Sequence, residues 1–265
     1  MKRVKYYGRV FAALAKCSFM TQLEYRMNYI SSLLIEIAYA LVKLIYVAMV
    51  YRTGCHIGML TPDHIAMFVG SYALMTGIYM YFYKGYTAIP GYVKKGDLDM
   101  LITKPLSLRF LVTFFRLDYA MPIPNAAVGI ALIVYGWGKT GLPVTAGAVA
   151  GFIGFILLGT MTTLFFFLIP HILSFWFVGV KGVVRLSADL WDFGNMPGQL
   201  YGKWIDRLGT FVFPVFLITN YPVWFIMGEL QPYMIIWAIA APVLALAVSE
   251  VIWKMALRHY SSASS

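Results

Sequence analysis

The sequence predicts an all-α integral membrane protein with six transmembrane helices, an N-terminal amphipathic helix and a short cytoplasmic helix between spans two and three. Composition is the first reason: the 265 residues are 61% hydrophobic and 12% charged, with a mean hydropathy of +0.75. A soluble domain is about half apolar and about a quarter charged. The other two reasons are the length of the apolar stretches and the placement of the basic residues.

Six apolar stretches are long enough to cross a bilayer, which takes about 20 residues each. They cover approximately 29–51, 64–83, 110–137, 144–168, 208–227 and 234–257. Pro122 and Pro124 interrupt the third stretch. Pro214, Asn220 and Pro222 indicate that the fifth is a broken helix whose outer part dips into the membrane and returns.

The basic residues fall mainly in the segments that this topology places in the cytoplasm, as the positive-inside rule requires. Only Arg52 and Lys139 fall in the proposed outer loops. Both termini are therefore expected in the cytosol, and Cys17 and Cys55 on opposite sides of the membrane, where they cannot form a disulfide. Because the net charge of +10 is spread loop by loop, the sequence argues against a nucleic-acid-binding protein.

Two amphipathic segments flank or interrupt the spans. Residues 1–27 predict a helix lying on anionic lipid, with a basic stripe beside an apolar one made of Tyr6, Val10, Leu14 and Cys17. Residues 170–207 carry apolar positions at alternating spacings of three and four. The opposite face bears Lys181, Arg185, Asp189 and Asp192. We expect this second segment to be interfacial, or a cytoplasmic extension of the fourth span, rather than a further crossing.

The loop at 85–108 contains a polar island between long apolar runs. Asp97 and Asp99 directly follow Gly96, and acids suit the unpaired N–H groups of a helix N-terminus. The apolar positions that follow, at i, i+3 and i+4, predict one apolar face, and the proline ends the turn. These positions are Leu98, Leu101 and Ile102, followed by Lys104 and Pro105. A short helix held in the cytosol by two spans is suited to docking on a partner.

Motifs for chemistry are missing from the sequence. The glycines Gly91 and Gly96 have the spacing of a phosphate-binding loop, but Asp97 and Leu98 follow where Lys and Ser or Thr are needed. The four histidines are too scattered for a metal cluster, and the sequence contains no H-E-x-x-H. We predict no catalytic residue, no metal site and no directly bound cofactor.

A few residues within the spans are candidates for the path of a substrate. Glu36 and Lys43 lie seven residues apart on one face of the first span. Glu36 either attracts a cationic substrate or makes a contact between helices or subunits, and we favour the contact. The aromatic group Phe211, Phe213 and Phe216 either lines a path or packs against lipid and other helices.

The pattern G-D-L-D-x-L-I-x-K-P at 96–105 resembles the loop of bacterial ABC-2 type permeases that contacts their ATPase. Downstream, Met196-Pro197-Gly198-Gln199-Leu200-Tyr201, with Arg207, Pro214 and Tyr221-Pro222, resembles that family's pattern around the fifth span. With the basic amphipathic start and the six spans, the resemblance covers most of 1–265, which we read as a single transmembrane domain of this type.

The resemblance implies an exporter subunit in the bacterial inner membrane that forms half of a translocation path. It implies pairing with a second permease, identical or related, and with two copies of a separate ATPase that uses ATP and Mg. It also implies that the ATPase-coupling residues are Gly96, Asp97, Leu98, Asp99, Leu101, Ile102, Lys104 and Pro105. Cargo in this family ranges over drugs, peptides and lipids, so the resemblance leaves the substrate open.

Two other classes remain open from the residues. A membrane-embedded enzyme acting on lipid would need convergent polar groups, and Glu36, Asp118 and Glu250 look too dispersed. An ion-coupled carrier often shows broken helices related by a repeat. An ATPase encoded by the adjacent gene would favour the permease over both.

Overall fold

The computed structural model describes residues 2–177 and 180–260. The described residues form twelve α-helices and two short 3₁₀ turns, at Leu173–Phe175 and Gly198–Leu200, so the predicted all-helical class is confirmed. The helices are α1 Lys2–Glu24, α2 Arg26–Thr53, α3 Pro62–Lys95, α4 Leu98–Ile102, α5 Leu108–Phe114, α6 Pro122–Thr140, α7 Ala146–Phe166, α8 Ile169–Ile172, α9 Lys181–Phe193, α10 Lys203–Phe211, α11 Val215–Met227 and α12 Pro232–His259.

The central element is α3, a helix of 34 residues and therefore about 50 Å long. Most of its length is buried by other helices. We call its Pro62 end the outer end and its Lys95 end the inner end, after the sides on which the basic residues predict them. Contacts along α3 then give the depth of every other element.

The closest partner of α3 is α6, which runs antiparallel to it. A Cβ at Gly129 would lie 2.7 Å from the Leu74 nitrogen, and one at Gly70 would lie 2.7 Å from the Gly129 oxygen. Glycine at both positions therefore lets the two backbones touch. Gly136 near the end of α6 lies against Asp63, so α6 reaches the outer end of α3.

Within residues 2–177 and 180–260, four helical stretches are long and apolar enough to cross a membrane alone, among them Ala146–Phe175, which joins α7 to the turns that follow it. The others are α2, α3 and α12. The pair α10 and α11, bent by 96°, makes a fifth if it is counted as one span. Length and composition thus support four or five crossings, and the count of six stays a prediction.

The predicted third span is broken into α5 and α6. Asp118 in the break is buried, pairs with Lys84 of α3, and accepts hydrogen bonds from the backbone N–H groups of Ala120 and Met121. Pro122 then occupies the first turn of α6, where the missing N–H costs no helical hydrogen bond. The prolines thus start a helix here rather than kink one.

The N-terminal helix α1 packs on this break. Tyr7 and Phe11 make ring contacts with Phe110 and Phe114, at 4.9 and 5.3 Å between centroids. The Gln22 amide donates to the Leu117 carbonyl at 2.7 Å. The stripe of α1 that packs on α5 is therefore shifted by one residue from the apolar stripe that the sequence predicted, since Tyr6 and Cys17 are exposed.

Part of the segment 170–207 packs against the bundle. Trp191 of α9 stacks on Tyr72 at 5.4 Å and lies 5.3 Å from Tyr79, about halfway along α3. The chain then reaches the outer half, where Tyr46 of α2 contacts Met196 at 3.8 Å and Gln199 packs against Gly58 of the outer loop. Ser187 and Trp191 of α9 are therefore buried against the bundle, whereas its apolar residues Val183, Leu186 and Phe193 are exposed, and the interfacial or cytoplasmic location of the segment stays a prediction.

The helices α10 and α11 form a bent hairpin within the outer half. The Gly198 N–H donates to Asn220 of α11 at 3.2 Å, and Trp237 near the outer start of α12 donates to the Thr210 carbonyl at 2.8 Å. Ile218, near the start of α11, lies against Gly159 of α7. From there α11 runs to the outer end, where α12 begins. These contacts favour a re-entrant hairpin, as the sequence suggested for the proline-containing stretch.

The glycine contact of α3 and α6 gives a direct test of the fold. Replacing Gly129 by Val would push the two helices apart, so we expect the free energy of unfolding to fall by about 1–3 kcal/mol. The matched control is Gly138→Val in the same helix, where a Cβ would meet nothing within 4 Å. Thermal unfolding of the detergent-purified protein measures both. Equal effects of the two changes would contradict close packing at Gly129.

Candidate functional site

The candidate site is the loop at the inner end of α3, with the helices that hold it. Gly96 ends α3 in the left-handed conformation, with φ of 75°, and turns the chain into the five-residue helix α4. The structure thus has a short helix where the sequence predicted one. Lys94, Lys95 and Lys104 are exposed around it, so the loop presents positive charge.

The orientation of α4 differs from the expected docking face. Leu98 and Leu101 are 0% and 8% exposed and belong to the core, whereas Met100 and Ile102 are 65% and 49% exposed. The reason is that α4 packs between the ends of α3 and α5, which takes up its Leu98–Leu101 side. Of the three predicted apolar positions, only Ile102 is available to a partner.

The C-terminal end of α12 lies against this loop. Burial raises the pKa of the Tyr260 phenol, and the neighbouring Asp99 and Asp97 carboxylates raise it further. The same tyrosine packs on Phe175 at 5.8 Å, and Phe175 packs on Trp253 of α12 at 5.8 Å. The loop is therefore in contact with the last helix as well as with α3 and α5.

A charged clamp ties α5 to α12. Arg109, five residues beyond Lys104, pairs with Glu250 and donates to the Ser249 hydroxyl at 2.8 Å. Its guanidinium also lies 5.9 Å from the Phe165 ring of α7. Movement of α4 would therefore be passed by α5 to two further helices.

Glu36, the sequence candidate for the substrate path, is bonded inside the bundle. The Asn125 amide of α6 donates to Glu36 at 2.7 Å, and the Lys43 ammonium donates to the Asn125 oxygen at 2.7 Å. Glu36 and Asn125 are 9% and 1% exposed. This geometry favours the inter-helix reading of Glu36 that the sequence left open.

The aromatic candidates do not form one surface. Phe216 is buried and packs against Tyr201 at 5.1 Å, so it belongs to the core. Phe211 lies 5.7 Å from Trp237, and Phe213 lies 6.3 Å from Phe166. Phe211, the last residue of α10, and Phe213, in the bend before α11, are both exposed.

The family model for "ABC-2 family transporter protein" matches residues 37–264. The chain belongs to this family. It is accordingly an ABC-type permease, a membrane component of a transporter, as the resemblance of the 96–105 loop indicated. Comparisons with curated proteins and with solved structures find no match for this permease.

Sequence reasoning missed the depth of α9 and the clamp at Arg109. The charges of α9 were visible as a stripe, but a helical stripe does not show which element its opposite face packs against. Arg109 and Glu250 lie 141 positions apart, so their pairing could be found only in three dimensions.

The two interpretations of Glu36 predict different effects of substituting it. Glu36→Ala removes one of the two acceptors of the buried Asn125 amide, which also donates to the Met121 carbonyl, and we expect it to lower the free energy of unfolding by about 1–3 kcal/mol. Glu36→Gln keeps an oxygen for that amide and should cost less. Thermal unfolding, with transport of cationic and neutral compounds measured alongside, tests both variants. Unchanged stability with a selective loss of cation transport would support the path reading instead.

Proposed function

We propose that this permease is the transmembrane subunit of an ATP-driven exporter whose motor is a separate ATPase. The observation that carries the proposal is the exposed surface of α4 at the inner end of the bundle. Met100 and Ile102 project there among Lys94, Lys95 and Lys104. Exposed apolar side chains ringed by charge are typical of a protein-binding surface. We call this set of five residues the docking surface.

The docking surface is well placed to pass on a movement. Its helix is packed between α3 and α5, and α5 is held to α12 by Arg109 and Glu250. A push by an ATPase on α4 would thus reach α3, α12 and α7 together. Gly96, Asp97, Leu98, Asp99, Leu101 and Pro105 have a supporting role in this proposal, because they shape and anchor the loop.

The ATP and Mg are used by the partner and not by this chain, whose sequence has no phosphate-binding loop. Two ATPase copies and a second permease, identical or related, complete the proposed transporter. The exposed apolar side of α2, with Leu34, Leu41 and Ile45, needs lipid or that second permease to cover it.

The proposed topology has six passes and both termini in the cytosol of a bacterium. The fifth pass is made by α9 and the chain at 194–200, and the hairpin of α10 and α11 enters and leaves from outside. This arrangement keeps Lys84 and Arg109 on the cytoplasmic side but moves Lys203 and Arg207, which the sequence analysis placed inside, to the outer side. The cargo is a drug-like, peptide or lipid amphiphile, and each permease forms half of its path.

Substitutions in the docking surface should weaken ATPase binding without lowering the stability of the permease. Met100→Glu combined with Ile102→Glu should abolish recovery of the ATPase that co-purifies with the unaltered protein, because the surface loses its apolar anchors. The melting temperature should hardly change, since both side chains are exposed.

The matched variant is Leu98→Ala in the same helix. It should lower the free energy of unfolding by about 2–5 kcal/mol, the usual cost of emptying a buried leucine site. The folded fraction should still retain the ATPase, because the docking surface is intact. Normal ATPase recovery by the double glutamate variant would contradict the proposed docking surface. If no ATPase co-purified with the unaltered protein, an ion-coupled carrier or a lipid-modifying enzyme would gain support.

A further inference from the structure

Four charged residues form one face of α9. Lys181, Arg185, Asp189 and Asp192 follow each other at spacings of four, four and three, so they lie on a single side of the helix. All four are exposed. The opposite side, with Ser187 and Trp191, is buried against the bundle.

This charged face extends into the middle of the bundle. Trp191, next to Asp192, packs against Tyr72 and Tyr79 in the central part of α3. The basic pair lies nearer the inner end, because α9 begins five residues after Trp176, whose ring lies 6.2 Å from that of His259 at the inner end of α12. The face thus runs from a basic inner part to an acidic part at the depth of the apolar core.

Charges at this depth cannot face lipid, since a charged side chain in the bilayer interior is strongly unfavourable. Within 2–177 and 180–260, the ion pairs join Lys84 to Asp118 and Glu250 to Arg109 and Lys254, so none includes the four charges of α9. They therefore need water or another protein beside them.

An identical second copy cannot cover this face directly. Two copies in one membrane are related by an axis along the membrane normal, so equal residues meet at equal depth. Lys181 would then meet Lys181, and Asp192 would meet Asp192, which is repulsive. Water between the copies avoids this repulsion.

We propose that the charged face of α9 lines a water-filled translocation path and binds a zwitterionic amphiphile. The basic pair, Lys181 and Arg185, takes the anionic group of the cargo, and the acidic pair, Asp189 and Asp192, takes its cationic group. Neighbouring members of the stripe are about one helical turn, or 5–6 Å, apart. The inference rests on the proposed transport function and assigns the carboxylates that meet cargo to α9 rather than to Glu36.

Thiol accessibility in membrane vesicles tests the path. In a Cys17→Ser, Cys55→Ser background, Asp189→Cys and Asp192→Cys should react with charged, membrane-impermeant thiol reagents at least about tenfold faster than two controls, because the reactive thiolate needs water. The controls are Leu190→Cys, beside the same positions but half-buried, and Val243→Cys, exposed on the apolar surface of α12.

The order of the charges along α9 also predicts which charged thiol reagent each cysteine variant prefers. The Asp189→Cys variant keeps Asp192 and should prefer the cationic reagent, while Lys181→Cys keeps Arg185 and should prefer the anionic one, each by about tenfold. Dodecylphosphocholine, a zwitterionic probe, should slow both reactions more than the uncharged dodecyl maltoside does.

Reaction rates at 189 and 192 no faster than those of the controls would overturn the proposal, as would rapid disulfide formation between copies at 192 without reagent access. An absence of charge preference, or equal protection by the two detergents, would overturn the zwitterion site. These measurements need neither ATP nor the ATPase. Failure of the proposed motor coupling would show instead in ATPase recovery, so the two failures are distinguishable.

Discussion

A charged side chain inside a bilayer needs a partner or water, and the arrangement of this permease follows from how its charges meet that requirement. Glu36 and Lys43 share the amide of Asn125, which joins α2 to α6. Asp118 pairs with Lys84 where the third predicted span breaks. Each of these contacts fixes the position of one helix against another, so the buried charges stabilise the packing of the helices.

The ion pairs at the inner end also connect the loop at 96–105 to the spans. Arg109 holds α5 to α12, and the end of α12 reaches back to the loop through Tyr260. A loop anchored in this way moves together with the helices around it rather than independently. This linkage is what a permease needs if the force comes from outside the membrane. The face of α9, which has no such partners among the described residues, is where the same requirement calls for water.

Much of the fold could be predicted from the sequence because composition and periodicity report burial in lipid and the presence of helices. The helical class, the short helix after Gly96 and the break near Pro214 all follow from such local signals. The break near Pro122 was also visible, although its role as a helix start was not. Basic residues indicate a side of the membrane because that rule acts on each loop separately.

What could not be predicted depends on contacts between distant residues. A stripe shows that a helix has two faces but not which face meets protein, and this is why Leu98 and Leu101 were expected outside and are found in the core. The same limit applies to α9, whose Trp191 packs on α3 while Leu186 and Phe193 stay exposed. The partner of Glu36 is 89 positions away and neutral, so no charge pattern pointed to Asn125.

If the proposed function is right, this permease works only with a separate motor. Native mass spectrometry of the assembly, purified with its partners from native membranes, tests this dependence. We expect two permease chains with two copies of an ATPase, and cargo transport by the reconstituted assembly that requires ATP. A chain recovered without any ATPase that still moves cargo across vesicles in the absence of ATP would contradict it.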